Sequence, residues 1–154
     1  MNSQFELTKM KRLIAFLITV TSCTMTYCQD LSNTPEDAMR KILTDGIAAY
    51  NKQDWPGIKK GLADSVKVYE FPNTLRDSSA DELISHYPIT FAKYPNNKAE
   101  IIDITVIGNK IILKQKITGR DVPFFSINIY EFDNNKIAKI WFISNSPTTP
   151  RPKG

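Results

Sequence analysis

Hydrophobic spacing divides the chain into a helical first half and a β-rich second half. A capping threonine, a proline and two acids precede apolar residues at helical spacing and predict a helix over 35–51. A short helix is predicted over 57–63 and an alternating strand over 66–71. A third helix is predicted over 78–92, with Pro88 bending or dividing it.

Four β-rich segments follow the helices, and short stretches rich in glycine, asparagine and aspartate separate them. The segments cover 99–107, 111–118, 124–132 and 137–144. Such separators are hairpin signals, so the strands should pair antiparallel in sequence order. Helices followed by a meander predict an α+β fold of the cystatin-like roll type, in which a cone-shaped, curved antiparallel sheet wraps around the N-terminal helices. A pocket is expected at the open end of such a cone.

The first 28 residues have the pattern of a signal peptide. Lys9, Lys11 and Arg12 lead into an uncharged apolar run over 13–20, which is too short to span a bilayer. A polar, turn-prone stretch follows. We therefore expect an exported protein with a signal peptide over 1–28, a folded domain over 29–145 and a disordered, proline-rich tail over 146–154.

Two cleavage reactions are consistent with this leader. Residues 20–23 resemble a bacterial lipobox, in which Cys23 would be lipidated and would anchor the domain to a membrane surface. Cleavage after Cys28 would instead release a periplasmic or secreted protein, and the small residues before Gln29 favour this outcome. Because both cysteines lie in the leader, the domain has no disulfide and no thiol nucleophile.

Charge and motifs exclude several functional classes. The 154-residue chain has 20 basic and 16 acidic residues, a net charge of +4, and without the leader 17 basic residues face 15 acidic ones, a charge of +2. No basic run exceeds Lys59-Lys60, so nucleic-acid binding is not expected. The sequence contains no glycine-rich phosphate loop and no His-Glu-x-x-His motif, so we expect neither a cofactor nor a metal.

The strand over 124–132 is apolar on both faces. Asn128 and Tyr130 share one face, whereas Phe125, Ile127 and Ile129 share the other, because side chains alternate along a strand. A sheet with two apolar faces needs two covers. We expect one face to meet the helices and the pocket, and the other to form a homodimer contact. Alternatively, a loop or the tail covers it.

Several segments resemble the nuclear transport factor 2-like superfamily, within it the SnoaL-like and ketosteroid-isomerase-like branch. Residues 33–37, 48–55 and 61–64 are similar to that family's first two helices and the turn between them, and 130–142 are similar to its final hairpin. The resemblance spans 34–144. It implies the cone-shaped fold, and it assigns the Asn128 and Tyr130 face of 124–132 to the pocket, which leaves the face of Phe125, Ile127 and Ile129 for the dimer contact. It does not imply one activity, because the family includes isomerases, cyclases, hydrolases and members without chemistry.

The family's isomerase residues are not matched. The resemblance implies that a tyrosine on the first helix and an acid on the penultimate strand form an oxyanion hole, while an aspartate that ends the first strand moves the proton. Those positions fall near Gly46, Asn128 and Phe71. Phenylalanine cannot act as a base, so steroid-type isomerisation is not expected. A shift of one or two residues would bring Glu70 into play.

Three functions are compatible with these residues. The first is non-catalytic binding of a small hydrophobic molecule in a pocket lined by aromatic residues, although the same residues could simply fill the core. The expected lining is Tyr50, Trp55, Tyr69, Phe71, Phe91, Leu113, Asn128, Tyr130 and Trp141.

The second function is an isomerase- or cyclase-type reaction with Glu70, His86 or Asp103 as the base. His86 is the only histidine, and it would need a carboxylate partner such as Glu70 or Asp103. The third is a dimeric interaction or adaptor domain that uses its outer sheet face.

Overall fold

The structure, a computed structural model, describes residues 34–144, in which three helices accompany six strands. The leader with Cys23 and the tail over 146–154 lie outside these residues. No helix in the described range is long and apolar enough to cross a membrane. The elements are α1 (Pro35–Asn51), α2 (Trp55–Lys59), β1 (Leu62–Glu70), β2 (Thr74–Asp77), α3 (Ala80–Lys93), β3 (Lys98–Ile107), β4 (Lys110–Thr118), β5 (Phe124–Asp133) and β6 (Lys136–Ser144).

The six strands form one curved, open sheet in the order β2-β1-β6-β5-β4-β3. The predicted α+β class is confirmed, and β3 to β6 pair antiparallel in sequence order, as the hairpin signals predict. One pair differs from the expectation, because β1 lies parallel to β6 and makes the sheet mixed. These two strands are not joined by a hairpin, and the chain between them is long enough for a parallel connection.

Local capping explains where the longer helices begin. The Thr34 hydroxyl accepts a hydrogen bond from the Asp37 amide, and the Asp37 carboxylate accepts one from the Thr34 amide in return. Ser79 caps α3 by accepting from the Glu82 amide. Pro88 lies within α3 without dividing it, although its missing N–H leaves one turn of the helix without its usual bond.

The segment after α1 differs from the sequence prediction. The short helix was expected over 57–63, but α2 ends at Lys59 and β1 has begun by Leu62. Ile58 and Leu62 are four residues apart, which is the spacing of one helix face. Both side chains are buried in the core, the first from α2 and the second from β1. A short helix followed by a strand therefore buries the two side chains that the sequence pattern assigned to one helix.

The edge strand β2 was not predicted from the sequence. It has only four residues, of which three are polar or charged, so it shows no apolar alternation. It pairs antiparallel with β1, with Val68 opposite Asp77. The strand places Asp77 beside His86 of α3.

The core lies between the helices and the inner face of the sheet. The most buried side chains come from both layers, and none is more than 6% exposed. They are Met39, Leu43, Leu83, Val66, Val68, Ile111, Leu113 and Ile140.

Two loops meet closely beyond one end of the sheet. Gly119, between β4 and β5, has a φ of +76°, and a Cβ at this position would overlap the carbonyl oxygen of Asn96. Only glycine meets both requirements, since it tolerates positive φ and leaves room for the neighbouring backbone. The contact places the β4–β5 loop directly against the α3–β3 loop.

A pair of alanine substitutions tests this contact. Gly108 also has positive φ, but a Cβ there meets nothing within 4 Å. We expect Gly108→Ala to lower the free energy of unfolding by about 1 kcal/mol, from backbone strain alone. Gly119→Ala should cost about 1–3 kcal/mol more, because the loops must separate. Urea unfolding followed by tryptophan fluorescence measures both values, and equal losses would contradict the close approach.

Candidate functional site

The inner face of the sheet and the helices border an open cavity of about 1160 Å³. This is enough space for a small organic molecule, since ligand pockets commonly measure about 300–1,000 Å³. Most of its wall is apolar. Representative apolar lining residues are Ile47, Leu83, Ile89, Ile117, Phe124, Ile140 and Phe142.

A row of polar side chains crosses the cavity floor on β4 and β5. Ser126, Asn128 and Tyr130 point inward because they alternate with the outward residues of β5. The Ser126 hydroxyl donates to Asn128 Oδ1 at 2.7 Å, and Asn128 Nδ2 donates to the Tyr130 hydroxyl at 3.2 Å. On β4, opposite Ser126, the buried Gln115 Oε1 has no hydrogen-bond partner among residues 34–144. The floor therefore retains one acceptor that a ligand could use.

A buried carboxylate orients a histidine on the cavity wall. The Asp77 side chain is completely buried, and its two oxygens lie 2.7 Å from His86 Nε2 and 2.8 Å from Arg76 Nε. Both partners line the cavity, and the Arg76 guanidinium lies 4.5 Å from the centre of the Phe142 ring. When Nε2 donates its proton to Asp77, Nδ1 of the imidazole becomes the acceptor. This arrangement suits a general base.

A second arginine lies where the two loops meet. Arg120 Nε donates to Asn97 Oδ1 at 2.6 Å, and Asn97 Nδ2 donates to the Tyr50 hydroxyl. Asn97 is only 1% exposed, whereas Arg120 and Tyr50 line the cavity. The close packing of Gly119 against Asn96 brings Arg120 to this position.

The tyrosines of this region remain protonated at ordinary pH. Burial raises the pKa of Tyr130 to about 12, and burial also raises the pKa of Tyr50 and of Tyr87 above the usual value. Their hydroxyls can therefore donate and accept hydrogen bonds. None of the three is poised to act as a base.

Comparisons with family profiles and with curated proteins find no match, but solved structures match well. A cystatin-fold protein from Novosphingobium aromaticivorans aligns with a TM-score of 0.63 and 24% identity over 69% of this chain and 97% of that one. A nuclear transport factor 2-like protein from Burkholderia xenovorans aligns with a TM-score of 0.62 and 18% identity, over 76% of this chain and 90% of that one. A protein from Jannaschia, proposed to be a SnoaL-like polyketide cyclase, aligns with a TM-score of 0.62 and 10% identity, over 70% of this chain and 85% of that one. This chain has the nuclear transport factor 2-like fold.

The positions that the family resemblance marks for isomerase chemistry all border the cavity of this domain. Gly46, Phe71 and Asn128 are lining residues. Asn128 is fully buried, and Phe71 is 60% exposed. Gly46 has no side chain, and a Cβ there would meet nothing within 4 Å. The cavity thus has open space at the position where the resemblance implies a tyrosine.

The structure brings four of the nine expected ligand-binding residues to the cavity. Tyr50, Phe71, Asn128 and Tyr130 line it, and Leu113 is fully buried in the core. Trp55 and Phe91 are not lining residues. They pack with Tyr50 and Tyr87 in an aromatic cluster between the helices, with Trp55 and Phe91 ring centres 5.4 Å apart.

Tyr69 and Trp141, the remaining two expected residues, lie on the outer face of the sheet. Their rings stack with centres 5.5 Å apart. The register explains their position, because Tyr69 is opposite Trp141, and Trp141 is opposite Ile129, whose side chain points outward. Strand parity alone therefore separates this pair from the cavity.

The three candidate bases are separated by the structure. Glu70 and His86 line the cavity, but Asp103 lies exposed on β3, opposite Lys114 of the outer face. The carboxylate beside His86 is Asp77, which sequence reasoning missed because β2 was not foreseen. Gln115 carried a usable signal, since it is a polar residue at an inward position between Leu113 and Ile117. Asn97 and Arg120 lie in loops, where no periodicity identifies them.

No group of three or more histidine, cysteine, aspartate or glutamate side chains within residues 34–144 is arranged to hold a metal ion. The side chains of the described cavity walls can bind an apolar molecule, form hydrogen bonds and transfer protons.

Proposed function

We propose that this domain binds a small, largely apolar molecule in its cavity. The observation that carries this proposal is the open cavity of about 1160 Å³, whose wall is mainly apolar and whose polar groups are few and converge on it. Burial of an apolar ligand would provide most of the binding energy. The polar row from Ser126 to Tyr130 would orient it.

The leader favours an extracytoplasmic site of action, and we include export in this proposal. The basic patch and short apolar run within 1–28 support it. Whether Cys23 anchors the domain or the leader is removed after Cys28 does not alter the cavity argument.

A second candidate function is proton transfer, and the His86–Asp77 pair favours it. A base acts efficiently when a second group fixes its tautomer and direction, and the buried Asp77 carboxylate supplies that restraint. Binding ranks first because the positions that the family resemblance assigns to an isomerase hold glycine, asparagine and phenylalanine. The base would therefore act from α3, and any reaction would differ from steroid isomerisation.

The outer sheet face supports a homodimer. Phe125 is 49% exposed and Ile127 40% exposed, and they share the outer face of β5 with Ile129, which lies opposite Trp141 of the Tyr69–Trp141 stack. The same face carries both charges, because Glu131 forms ion pairs with lysines on the neighbouring strands, while Lys114 and Lys116 lie opposite Asp103 and Glu100. A surface with an apolar strip and charges of both signs can match a second copy of itself about a twofold axis.

Filling the cavity should abolish binding. Gly46→Trp projects a large side chain into the open space beside Gly46, while Ala48→Trp places the same side chain on the exposed face of α1 as a control. We expect the unmodified chain and Ala48→Trp to bind 2-naphthaleneethanol alike in calorimetric titrations, and Gly46→Trp to bind at least about tenfold more weakly. Equal binding by all three proteins, or binding by none, would refute the cavity proposal.

The elimination of 5-nitrobenzisoxazole tests the base. A base removes the C3 proton, the N–O bond breaks, and a coloured nitrile-bearing phenolate is released. We expect His86→Gln to lower the rate by about 100-fold and Asp77→Asn by about tenfold, because the imidazole loses its base in one variant and its restraint in the other. Asp103→Asn, on the outer face, should be unchanged. A loss in Glu70→Gln with full activity in His86→Gln would place the base on β1 instead.

A charge on the outer face should separate the subunits. Ile127→Asp would bury an unpaired carboxylate in the interface, and we expect at least about a 30-fold rise in the dimer dissociation constant. Ile89→Asp, on α3 and 70% exposed, is the matched control on the helical side. Sedimentation velocity measures both. A monomeric unmodified chain would contradict the dimer and favour a different protein partner for this face.

A further inference from the structure

Asn97 forms hydrogen bonds with both Arg120 and Tyr50 at one end of the cavity. Its Oδ1 accepts from Arg120 Nε, and its Nδ2 donates to the Tyr50 hydroxyl. Since Asn97 is 1% exposed and uses both ends of its amide in these bonds, it has the role of a support for Arg120 and Tyr50, both of which line the cavity. The support is itself placed by the backbone contact between Gly119 and Asn96.

The charge of Arg120 is not neutralised by an ion pair within the described part of the chain. Its guanidinium lies 5.4 Å from the centre of the Tyr94 ring and 5.3 Å from the centre of the Phe124 ring. The residue as a whole is half-buried. Arg76, the other arginine among the described cavity-lining residues, differs because Asp77 pairs with it. Asp121 follows Arg120 in the loop, but no ion pair joins these two side chains within residues 34–144. The planar guanidinium therefore offers N–H groups to an anion.

Tyr50 supplies a second donor beside the guanidinium. Its oxygen accepts the Asn97 amide, so its own proton is available to a further acceptor. Burial raises the Tyr50 pKa, which keeps this proton in place. A carboxylate needs two or more N–H or O–H donors when it leaves water, and Arg120 and Tyr50 together provide them.

An independent observation indicates that the cavity is built for a ligand with polar groups. Gln115 is 7% exposed and lines the cavity, yet its Oε1 has no partner within residues 34–144. A buried acceptor without a partner is costly, and a ligand N–H or O–H would remove this cost. The apolar side chains of Ile117 and Phe124 lie on the same wall.

We infer that Arg120 and Tyr50, supported by Asn97, bind the carboxylate of an amphipathic organic acid whose apolar body occupies the cavity. This inference rests on the proposed ligand-binding function and names the class of ligand. It distinguishes an apolar monocarboxylic acid from the neutral molecules that the apolar wall alone would accept.

A matched pair of probes tests the inference. The alcohol 2-naphthaleneethanol and the acid 2-naphthaleneacetic acid share one apolar body and differ in the charged group. We expect calorimetric titration of the full chain to give about tenfold tighter binding of the acid, because charge-assisted hydrogen bonds are the stronger ones. Arg120→Met keeps an apolar stem between Tyr94 and Phe124 but removes the charge, so the preference for the acid over the alcohol should disappear.

Two further variants separate charge from structure. Lys114→Met removes the same charge from the exposed outer face and should keep the preference for the acid. Asn97→Asp retains an acceptor for Arg120, but its carboxylate would neutralise the guanidinium in place of the ligand's carboxylate. The preference for the acid over the alcohol should therefore disappear. Circular dichroism confirms that each variant is folded before it is compared.

The outcomes distinguish this inference from the proposed function. Equal binding of the two probes to the unmodified chain would overturn the inference and leave the cavity function standing. A preference for the acid that survives in Arg120→Met would also overturn it. Binding of neither probe would refute the cavity function itself, and the inference with it.

Discussion

The structure depends on how far the helices cover the inner face of the sheet. On β4 the inward residues Ile111 and Leu113 pack in the core cluster, whereas Gln115, two residues further on, does not. On β5 Tyr130 belongs to the cluster and Asn128 does not. The change occurs at one cross-strand pair, Leu113 opposite Asn128. Beyond it the inward side chains of both strands border the cavity, first the polar pair Gln115 and Ser126 and then the apolar pair Ile117 and Phe124.

This division also explains which parts of the site were visible in the sequence. Alternation separated the two faces of β4 and β5 correctly, because side chains point to opposite faces in turn, and the family resemblance assigned the inward face of β5. Alternation does not indicate how far along each strand the helices cover the inward face. Leu113 was therefore expected in the pocket and lies in the core, while Gln115 was overlooked. Trp55 and Phe91 have the apolar character of a pocket residue, but contacts between three helices, which no local pattern encodes, bury them together.

The remaining features that escaped sequence reasoning come from tertiary contacts of short or irregular segments. Asp77 ends a four-residue strand without apolar alternation, and only the fold brings it to His86, nine residues away. Asn97 and Arg120 are 23 residues apart and meet because Gly119 allows two loops to touch. In both cases hydrogen bonds offset the free-energy cost of burying a polar side chain, since burial without partners would destabilise the fold.

The cavity thus holds two polar centres with different chemistry on different walls. Asp77 neutralises Arg76 and directs His86, so that centre is internally balanced and suited to moving a proton. At the other centre Asn97, a neutral amide, holds Arg120 and leaves its charge for an external anion. A fold of this kind leaves the function undetermined, because many activities share it. The buried support is a carboxylate at one centre and an amide at the other, and this difference is why we propose proton transfer at the first centre and recognition of an anion at the second.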